Sequence, residues 1–480
     1  MHRSRLRPGS GLPGSAGLRP AERSSKVVWF ERFPSAWECI EAGFGPRSGY
    51  GQLGTVRPVA DRRSRVGLAL GTFSLELHPP PVRRLRNDLP YTFRPPQPAG
   101  WFRPLGLWAN RSIFMERKFR VARLEIEGFE RVKALSQVGH AVLLAPNHAD
   151  HADPHVMIDA IARHGMRSHF MAAREVFEIS KGGAWALQKM GVFSVDRDGP
   201  DLSAIKTAIT LLEKSSDPLV IYPEGEIYHH HERLDPLHEG VASILLKAAT
   251  RLSGEKQAYL VPVGIRFRHD PAVEATFCAR LARLEDRIGW TPRPAMPLDE
   301  RILRLGAGLL GLKEMEHLGE SGRGPLQERL TTLCESLLAA AEARQGRDAK
   351  SLTAPERVRA QRYRIRRRLL DLENPPSPAE KTALLDDLDR VFTALQAHSY
   401  IGDYLLAEAT LDRRAETIMK LEEDLLGFPT YPAPRVAHVA AGEPVPVSEL
   451  LASGGLPAKG GATPLTALLE NRLIELLARL

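Results

Sequence analysis

Cysteine is scarce in this chain, and long apolar runs are absent. Only Cys39, Cys278 and Cys334 occur among its 480 residues. They lie far apart, so neither a disulfide framework nor a paired-cysteine zinc site is expected, and a reducing cytosol suits them. Because no run of about 18 apolar residues exists, no membrane-spanning helix is predicted. The Arg-rich N-terminus also lacks the apolar segment of a secretory signal.

Positive charge is in excess. The formal net charge is +8, and hydrophobic residues make up 43% of the chain, which is ordinary for a globular protein with a sizeable core. The charge permits contact with anionic partners such as nucleic acid, phospholipid headgroups or CoA-like phosphates. It does not choose among them.

Composition divides the chain into five segments. Residues 1–80 are rich in Arg, Gly, Pro and Ser, which predicts a disordered basic extension. Residues 81–120 form an aromatic and basic arm, either a membrane-surface anchor or an extended arm packed on the next domain. Residues 121–270 predict an α/β core, 271–345 a helical extension of that core, and 346–480 a helical C-terminal region.

The core segment shows apolar strands that alternate with helical patterns. HAVLLAPN (140–147) and PLVIYPEG (218–225) each end in a polar turn, and DPHVMIDAIARHG predicts a helix with Asp153 at its cap. No strand is predicted beyond about residue 270. The expected fold class is therefore α/β, with a mixed, mainly parallel central sheet flanked by helices and followed by an all-helical C-terminal region.

One of the later helices, near residues 356–372, is strongly basic. Its apolar stripe predicts a packed helix with a solvated basic face, and binding to nucleic acid or lipid is the alternative. The arginines are Arg357, Arg359, Arg362, Arg364, Arg366, Arg367 and Arg368.

Histidines and aspartates crowd the stretch LLAPNHADHADPHV, from Leu143 to Val156. His148-Ala-Asp150-His151 is similar to the second half of the H-x-H-x-D-H ligand motif of metallo-β-lactamase-like hydrolases. Pro146 stands where the first histidine of that motif belongs, which is a serious defect in a metal site. The run His229-His230-His231 is another source of ligands, although a histidine run in a loop is more often solvated. No metal site is predicted.

Two other interpretations of this stretch need no metal. One is a polar turn without chemistry. The other is a charge-paired base, because a tight turn would bring His148 next to Asp153. The carboxylate would then fix the tautomer of the ring and raise the basicity of its other nitrogen. His151 and His155 are expected to be satisfied or solvated bystanders.

Four sequence blocks in order favour the charge-paired base. Together they resemble the glycerolipid acyltransferase family, the His-x4-Asp enzymes that include 1-acylglycerol-3-phosphate acyltransferase. AAREVF, with Arg174, also resembles a segment between the first two blocks of that family. The resemblance covers residues 120–270, under a third of the chain. The blocks are Asn147-His148-x4-Asp153-Pro154, GVFSVDR (191–197), YPEGE (222–226) and VPVGI (261–265).

The resemblance implies a role for each matching residue. His148 would be the general base on an acceptor hydroxyl, and Asp153 would orient it. Arg197, with Arg174 as a second candidate, would bind the acceptor's phosphate. Glu224 would position the acceptor or hold its loop, and Gly225 would permit a tight turn.

The third block departs from the family. A Thr-Arg pair commonly follows Glu-Gly there, whereas this chain has Glu226-Ile227. The missing arginine weakens the expectation of a doubly charged phosphate acceptor.

The resemblance implies an acyltransferase that uses acyl-CoA or acyl-carrier protein as donor and holds no bound cofactor. The acceptor would be a glycerolipid such as lysophosphatidic acid. We expect a peripheral protein on the cytosolic membrane face with no nucleic-acid partner. The alternatives are a zinc-dependent hydrolase built on the His-rich turn and a catalytically dead lipid-binding scaffold.

Overall fold

A computed structural model describes residues 90–346, 352–457 and 459–480. The predicted disordered extension at 1–80 and the start of the aromatic arm lie outside the described residues. Within them, no helix is both long and apolar enough to cross a lipid bilayer.

A central sheet organises the fold, and it has eight strands among the described residues. The strand order is β1-β7-β6-β2-β5-β3-β4, with β8 paired to β6. Neighbours are parallel, except that β6 runs antiparallel to β7 and β8. The strands are β1 (Val121–Glu127), β2 (Ala141–Pro146), β3 (His169–Ala173), β4 (Val192–Val195), β5 (Leu219–Val220), β6 (Ala258–His269), β7 (Arg435–Ala441) and β8 (Val445–Pro446).

Helices cover both faces of the sheet and continue beyond it. A π-helical segment, Asn110–Lys118, follows α1, and a 3-10 turn, Pro271–Val273, precedes α8. The α-helices are α1 (Arg103–Ala109), α2 (Phe129–Val138), α3 (Asp153–Arg163), α4 (Arg174–Glu178), α5 (Lys181–Lys189), α6 (Leu202–Lys214), α7 (Gly240–Ala249), α8 (Glu274–Arg287), α9 (Leu298–Leu318), α10 (Leu326–Gln345), α11 (Ala354–Leu369), α12 (Pro378–His398), α13 (Tyr404–Ala407), α14 (Leu411–Leu426), α15 (Val447–Ala452) and α16 (Ala462–Leu477).

The central strand β2 shows why the sheet is covered on both sides. All of its residues are buried, as expected for a parallel strand between two helical layers. Because side chains alternate along a strand, Leu144 enters the core under α3, which contributes Met157. Leu143 enters the opposite core, where α6 contributes Ile209. The predicted mixed, mainly parallel sheet flanked by helices is confirmed.

The C-terminal part is helical from α9 to α14, as predicted, but the strands do not end near residue 270. β7 pairs in parallel with β1 and antiparallel with β6, and β8 pairs with β6. The sequence RVAHVAA is short and rich in alanine, so its strand character depends on partners that lie far away in the chain. The last segment of the chain therefore completes the central sheet.

The basic helix α11 differs from its predicted form in one respect. It packs as expected, and Val358 and Ile365 lie in a helical core with α10 and α12. Its basic face is not wholly solvated, however. Arg357, Arg362 and Arg366 are buried.

Candidate active site

The candidate site lies at the carboxyl ends of two neighbouring parallel strands. β2 leads into the turn that carries His148, and β5 leads into the loop that carries Glu224. In open α/β sheets ligands bind at this edge. Asn147 fixes the turn to β6, because its amide group both donates to the Ile265 carbonyl at 3.0 Å and accepts from the Ile265 N–H at 2.7 Å. The first and fourth sequence blocks are therefore joined directly.

His148 and Asp153 form the predicted pair. Nδ1 of His148 lies 2.9 Å from Oδ2 of Asp153, whose side chain is fully buried. The same oxygen accepts the backbone N–H groups of Ala149 and Asp150 at 2.8 and 2.9 Å. Asp153 is the first residue of α3 rather than its cap, and it holds the preceding turn instead. With Nδ1 engaged, Nε2 is the ring nitrogen that can take a proton from a substrate.

The ring of His148 also packs against Tyr222. The two ring centroids are 4.1 Å apart, with an interplanar angle of 30°. Burial raises the pKa of the Tyr222 hydroxyl well above its ordinary value, so that it stays protonated. Contact on the ring face and the bond to Asp153 together fix the orientation of the base.

Glu224 holds the loop by accepting backbone N–H groups. Oε1 accepts the N–H of His148 at 2.6 Å, and Oε2 accepts the N–H of Asp235 at 3.3 Å. Burial raises the pKa of Glu224 well above its usual range. Of the two roles predicted for this residue, the contacts support the structural one, and they link the first block to the third.

Gly225 occupies a turn that requires glycine. Its φ is +74°, in the left-handed region, and a Cβ atom there would lie 3.1 Å from Cδ2 of His238. Its N–H donates to the Tyr222 carbonyl at 3.3 Å. The predicted tight turn is present.

Arg197 lies next to the Glu224–Gly225 loop but is already paired. Nη1 lies 2.8 Å from Oε2 of Glu226 and donates to the Gly225 carbonyl at 2.5 Å. Nη2 lies 3.5 Å from a carboxylate oxygen of Glu175. Burial would raise the pKa of Glu175, but Arg197, a backbone N–H group, Arg362 and Arg174 together lower it below its usual value. A phosphate at Arg197 would have to compete with two carboxylates.

Arg174 is buried and contacts two other carboxylates. Its Nε donates to Glu178 at 2.9 Å, Nη1 lies 3.9 Å from Asp196, and its guanidinium lies 5.6 Å from the ring centroid of Tyr91. With only 1% of its side chain exposed, Arg174 is less accessible to an acceptor than Arg197, at 24%.

Residues 123–266 match the family model described as acyltransferase. This segment is an acyltransferase domain. The curated relatives include a 1-acyl-sn-glycerol-3-phosphate acyltransferase from Streptococcus pneumoniae (strain ATCC BAA-255 / R6), which is 37% identical over 93 residues. Those residues are 19% of this chain and 34% of the relative, so the chain spans about a third of the length of the relative it matches.

The matched segment ends before the parts of the chain that complete the acyltransferase domain in space. Arg366 of α11 lies 2.6 Å from Asp196, in the second block, and 3.3 Å from Asp198, the residue after Arg197. Arg362 lies 3.0 Å from Asp198 and 3.5 Å from Glu226. Two arginines of the basic helix therefore neutralise the acidic residues that flank Arg197. The repeated arginines were visible in the sequence, but their partners were not.

The other histidines of the two polar stretches are more buried than expected. His155 is satisfied, since its Nδ1 lies 2.6 Å from Oδ1 of Asn110. Burial lowers the pKa of His155 to about 3 and keeps the ring neutral. The expectation that the histidine run lies in solvent is wrong, because His229, His230 and His231 are all buried.

Asp150, which the sequence pattern predicts to be a bystander, supports the turn that carries His148. It forms a fully buried ion pair with Arg435, the first residue of β7, at 2.7 Å. Asp150 also accepts the N–H of Ala152 at 2.8 Å. No spacing in the sequence could join two residues so far apart, so this support of the turn depends on the unpredicted strand.

Proposed function

We propose that the protein transfers a fatty acyl group from acyl-CoA or acyl-carrier protein to the hydroxyl of a glycerolipid acceptor, such as lysophosphatidic acid. The observation that carries this proposal is the contact of His148 Nδ1 with Asp153 Oδ2 at 2.9 Å, inside an acyltransferase domain. A histidine held in this way is suited to remove a proton from an alcohol.

The reaction needs no covalent enzyme intermediate. Nε2 of His148 takes the hydroxyl proton as the acceptor oxygen attacks the thioester carbonyl carbon. The new C–O bond gives a tetrahedral oxyanion, which collapses by breaking the C–S bond. The thiolate leaves and takes this proton from Nε2 of His148. Asp153 stabilises the imidazolium between these two steps, because its carboxylate remains on Nδ1.

The acceptor's polar group would lie near Arg197. If it is a phosphate monoester, as in lysophosphatidic acid, it must displace Glu226 from the guanidinium, since Glu226 lies 2.8 Å from Nη1. This pairing favours a second candidate, an acyltransferase whose acceptor carries a zwitterionic or uncharged headgroup. Arg362 also approaches Glu226, at 3.5 Å, and offers a site to which the displaced carboxylate can move.

An exposed aromatic surface supports action on a membrane. Trp101, Leu105 and Trp108 are 71%, 52% and 58% exposed, and Trp185 of α5 is 42% exposed. The ring centroids of Trp101 and Trp185 are 6.1 Å apart. Tryptophan favours the headgroup level of a bilayer, and the proposed acceptor resides there. We propose that this aromatic surface (Trp101, Leu105, Trp108 and Trp185) docks on the cytosolic face of a membrane.

A donor-by-acceptor activity matrix tests the proposed function. Purified protein is assayed with acyl-CoA and with acyl-carrier protein, each against lysophosphatidic acid, lysophosphatidylcholine and monoacylglycerol in mixed micelles. We expect ester formation with at least one pair. Release of free fatty acid without any acceptor product would favour the zinc hydrolase, provided that a chelator abolishes the release. Binding to vesicles without any turnover would favour the dead scaffold.

A further inference from the structure

Three metal-ligating side chains meet beside the turn that carries His148. His151 comes from that turn, His229 from the loop after β5, and Glu423 from α14. Nε2 of His151 lies 3.0 Å from Oε1 of Glu423, and Nε2 of His229 contacts Oε2 of the same carboxylate. The three ligand atoms lie within 4.8 Å of one another.

We propose that His151, His229 and Glu423 bind one divalent transition-metal ion, for which Zn²⁺ is the best match. Two imidazoles and one carboxylate are a ligand set that zinc accepts, and three protein ligands leave a coordination position open. Ligands at about 2.1 Å from a tetrahedral metal are separated by about 3.4 Å. Small side-chain rotations would bring the three atoms to that separation.

The backbone conformation at His229 supports a metal site. Its φ is +58°, a left-handed conformation that is uncommon for residues other than glycine and that persists where the surrounding structure enforces it. The turn sends successive side chains to different carboxylates. His230 pairs with Asp235 at 2.9 Å, and His231 pairs with Glu416 at 2.7 Å. Glu423, the carboxylate that His229 contacts, also lies 3.0 Å from Nε2 of a second histidine, His151.

The three side chains of the cluster differ in solvent exposure, and two of them are open enough for an ion to enter. The His229 side chain is 1% exposed, whereas those of His151 and Glu423 are 36% and 31% exposed. One ligand is therefore fixed inside the protein and two face outward. A bound ion would connect α14 to the turn of His148, so that the C-terminal helices and the catalytic turn move together. This site does not depend on the proposed acyl transfer.

Metal binding is measured directly on the untagged full-length protein after removal of metal with a chelator. Equilibrium dialysis against Zn²⁺ gives the stoichiometry, and Co²⁺ serves as a visible-absorption probe of a low-coordinate site. We expect one ion per chain. His229→Gln and Glu423→Gln should each weaken Zn²⁺ binding at least tenfold and abolish the Co²⁺ spectrum. His151→Gln, at a partly exposed position, guards against loss of binding through misfolding.

His438→Gln is the matched control. His438 also pairs with a glutamate, at 2.9 Å from Glu125, but no second histidine shares that carboxylate among the described residues. This variant should bind Zn²⁺ as the wild type does. If no saturable Zn²⁺ binding occurs, or if His151→Gln binds as tightly as the wild type, the proposal is overturned and the cluster is a metal-free ion pair.

Discussion

Nη1 of Arg435 lies 2.7 Å from Oδ2 of Asp150, and both side chains are 1% exposed. Arg435 opens β7, whereas Asp150 belongs to the turn between β2 and α3. Arg435 also donates to the Phe119 carbonyl, at 3.2 Å from Nε and 3.1 Å from Nη2. Arg435 of β7 thus holds the turn that carries His148.

Replacing Arg435 should destabilise the protein strongly. Arg435→Met leaves Asp150 as a buried carboxylate without its partner, and breaking such a pair costs about 3–5 kcal/mol. Denaturant unfolding measures the change. The double variant Asp150→Asn/Arg435→Met should lose less than the sum of the two single variants. If the double variant loses as much stability as the two single variants combined, the ion pair itself contributes little.

The same pair gives a pH dependence with a defined sign. Burial would raise the pKa of Asp150, but Arg435, together with His231 and the N–H of Ala152, holds the pKa well below the usual range. Its stabilisation is therefore complete above the unfolded-state pKa of about 3.9 and is lost as pH falls toward the folded-state pKa. The stability gap between wild type and Arg435→Met should narrow as pH falls, because protonation neutralises the unpaired Asp150 in the variant.

His148→Ala should lower kcat by about 10²- to 10⁴-fold, since that is the usual contribution of a general base. Asp153→Asn should also lower kcat, because the ring loses the carboxylate that stabilises its charged form. Initial rates with saturating donor and acceptor measure both effects. His164→Ala is the control, since His164 follows the last residue of α3 and contacts Glu130 instead. Wild-type turnover in folded His148→Ala would remove the assignment of the base.

Much of this site was predictable because its signals are local. The strands before His148 and before Glu224 are short apolar runs, and the pairing of His148 with Asp153 needs only one tight turn. The backbone contacts of Glu224 were one of two predicted roles. Each of these features depends on residues that are close in sequence or on the rule that parallel strands end at one edge.

The remaining features depend on pairings between distant parts of the chain. β7 has weak strand character of its own and is fixed by β1 and β6. The sequence signal for this strand was limited to the prolines and the glycine that bracket RVAHVAA. Likewise, Arg362 and Arg366 lie on a helix whose packed side was predicted, but only the folded chain places them on Asp196 and Asp198.

Glu226 should control the preference for a phosphate acceptor. Glu226→Gln removes the charge beside Arg197, and we expect the KM for lysophosphatidic acid to fall about fivefold, equivalent to roughly 1 kcal/mol. The KM for monoacylglycerol should not change, because that acceptor carries no charge. Steady-state kinetics with both acceptors give the comparison. Glu213→Gln, which disrupts the remote pair with Arg251, is the control. A higher KM for lysophosphatidic acid would instead show that Glu226 assists acceptor binding.

The aromatic surface should carry membrane affinity. Trp101→Ala/Trp185→Ala removes two exposed indoles, and we expect vesicle partitioning to fall at least about tenfold, since interfacial binding scales with buried apolar area. Co-sedimentation with anionic phosphatidylglycerol–phosphatidylcholine vesicles measures it. Turnover of a water-soluble short-chain acceptor should persist, because neither residue contacts His148 or Asp153. Leu372→Ala is the matched control, as Leu372 is 93% exposed but lies beyond α11. Equal loss in both proteins would point to general surface hydrophobicity instead of a docking site.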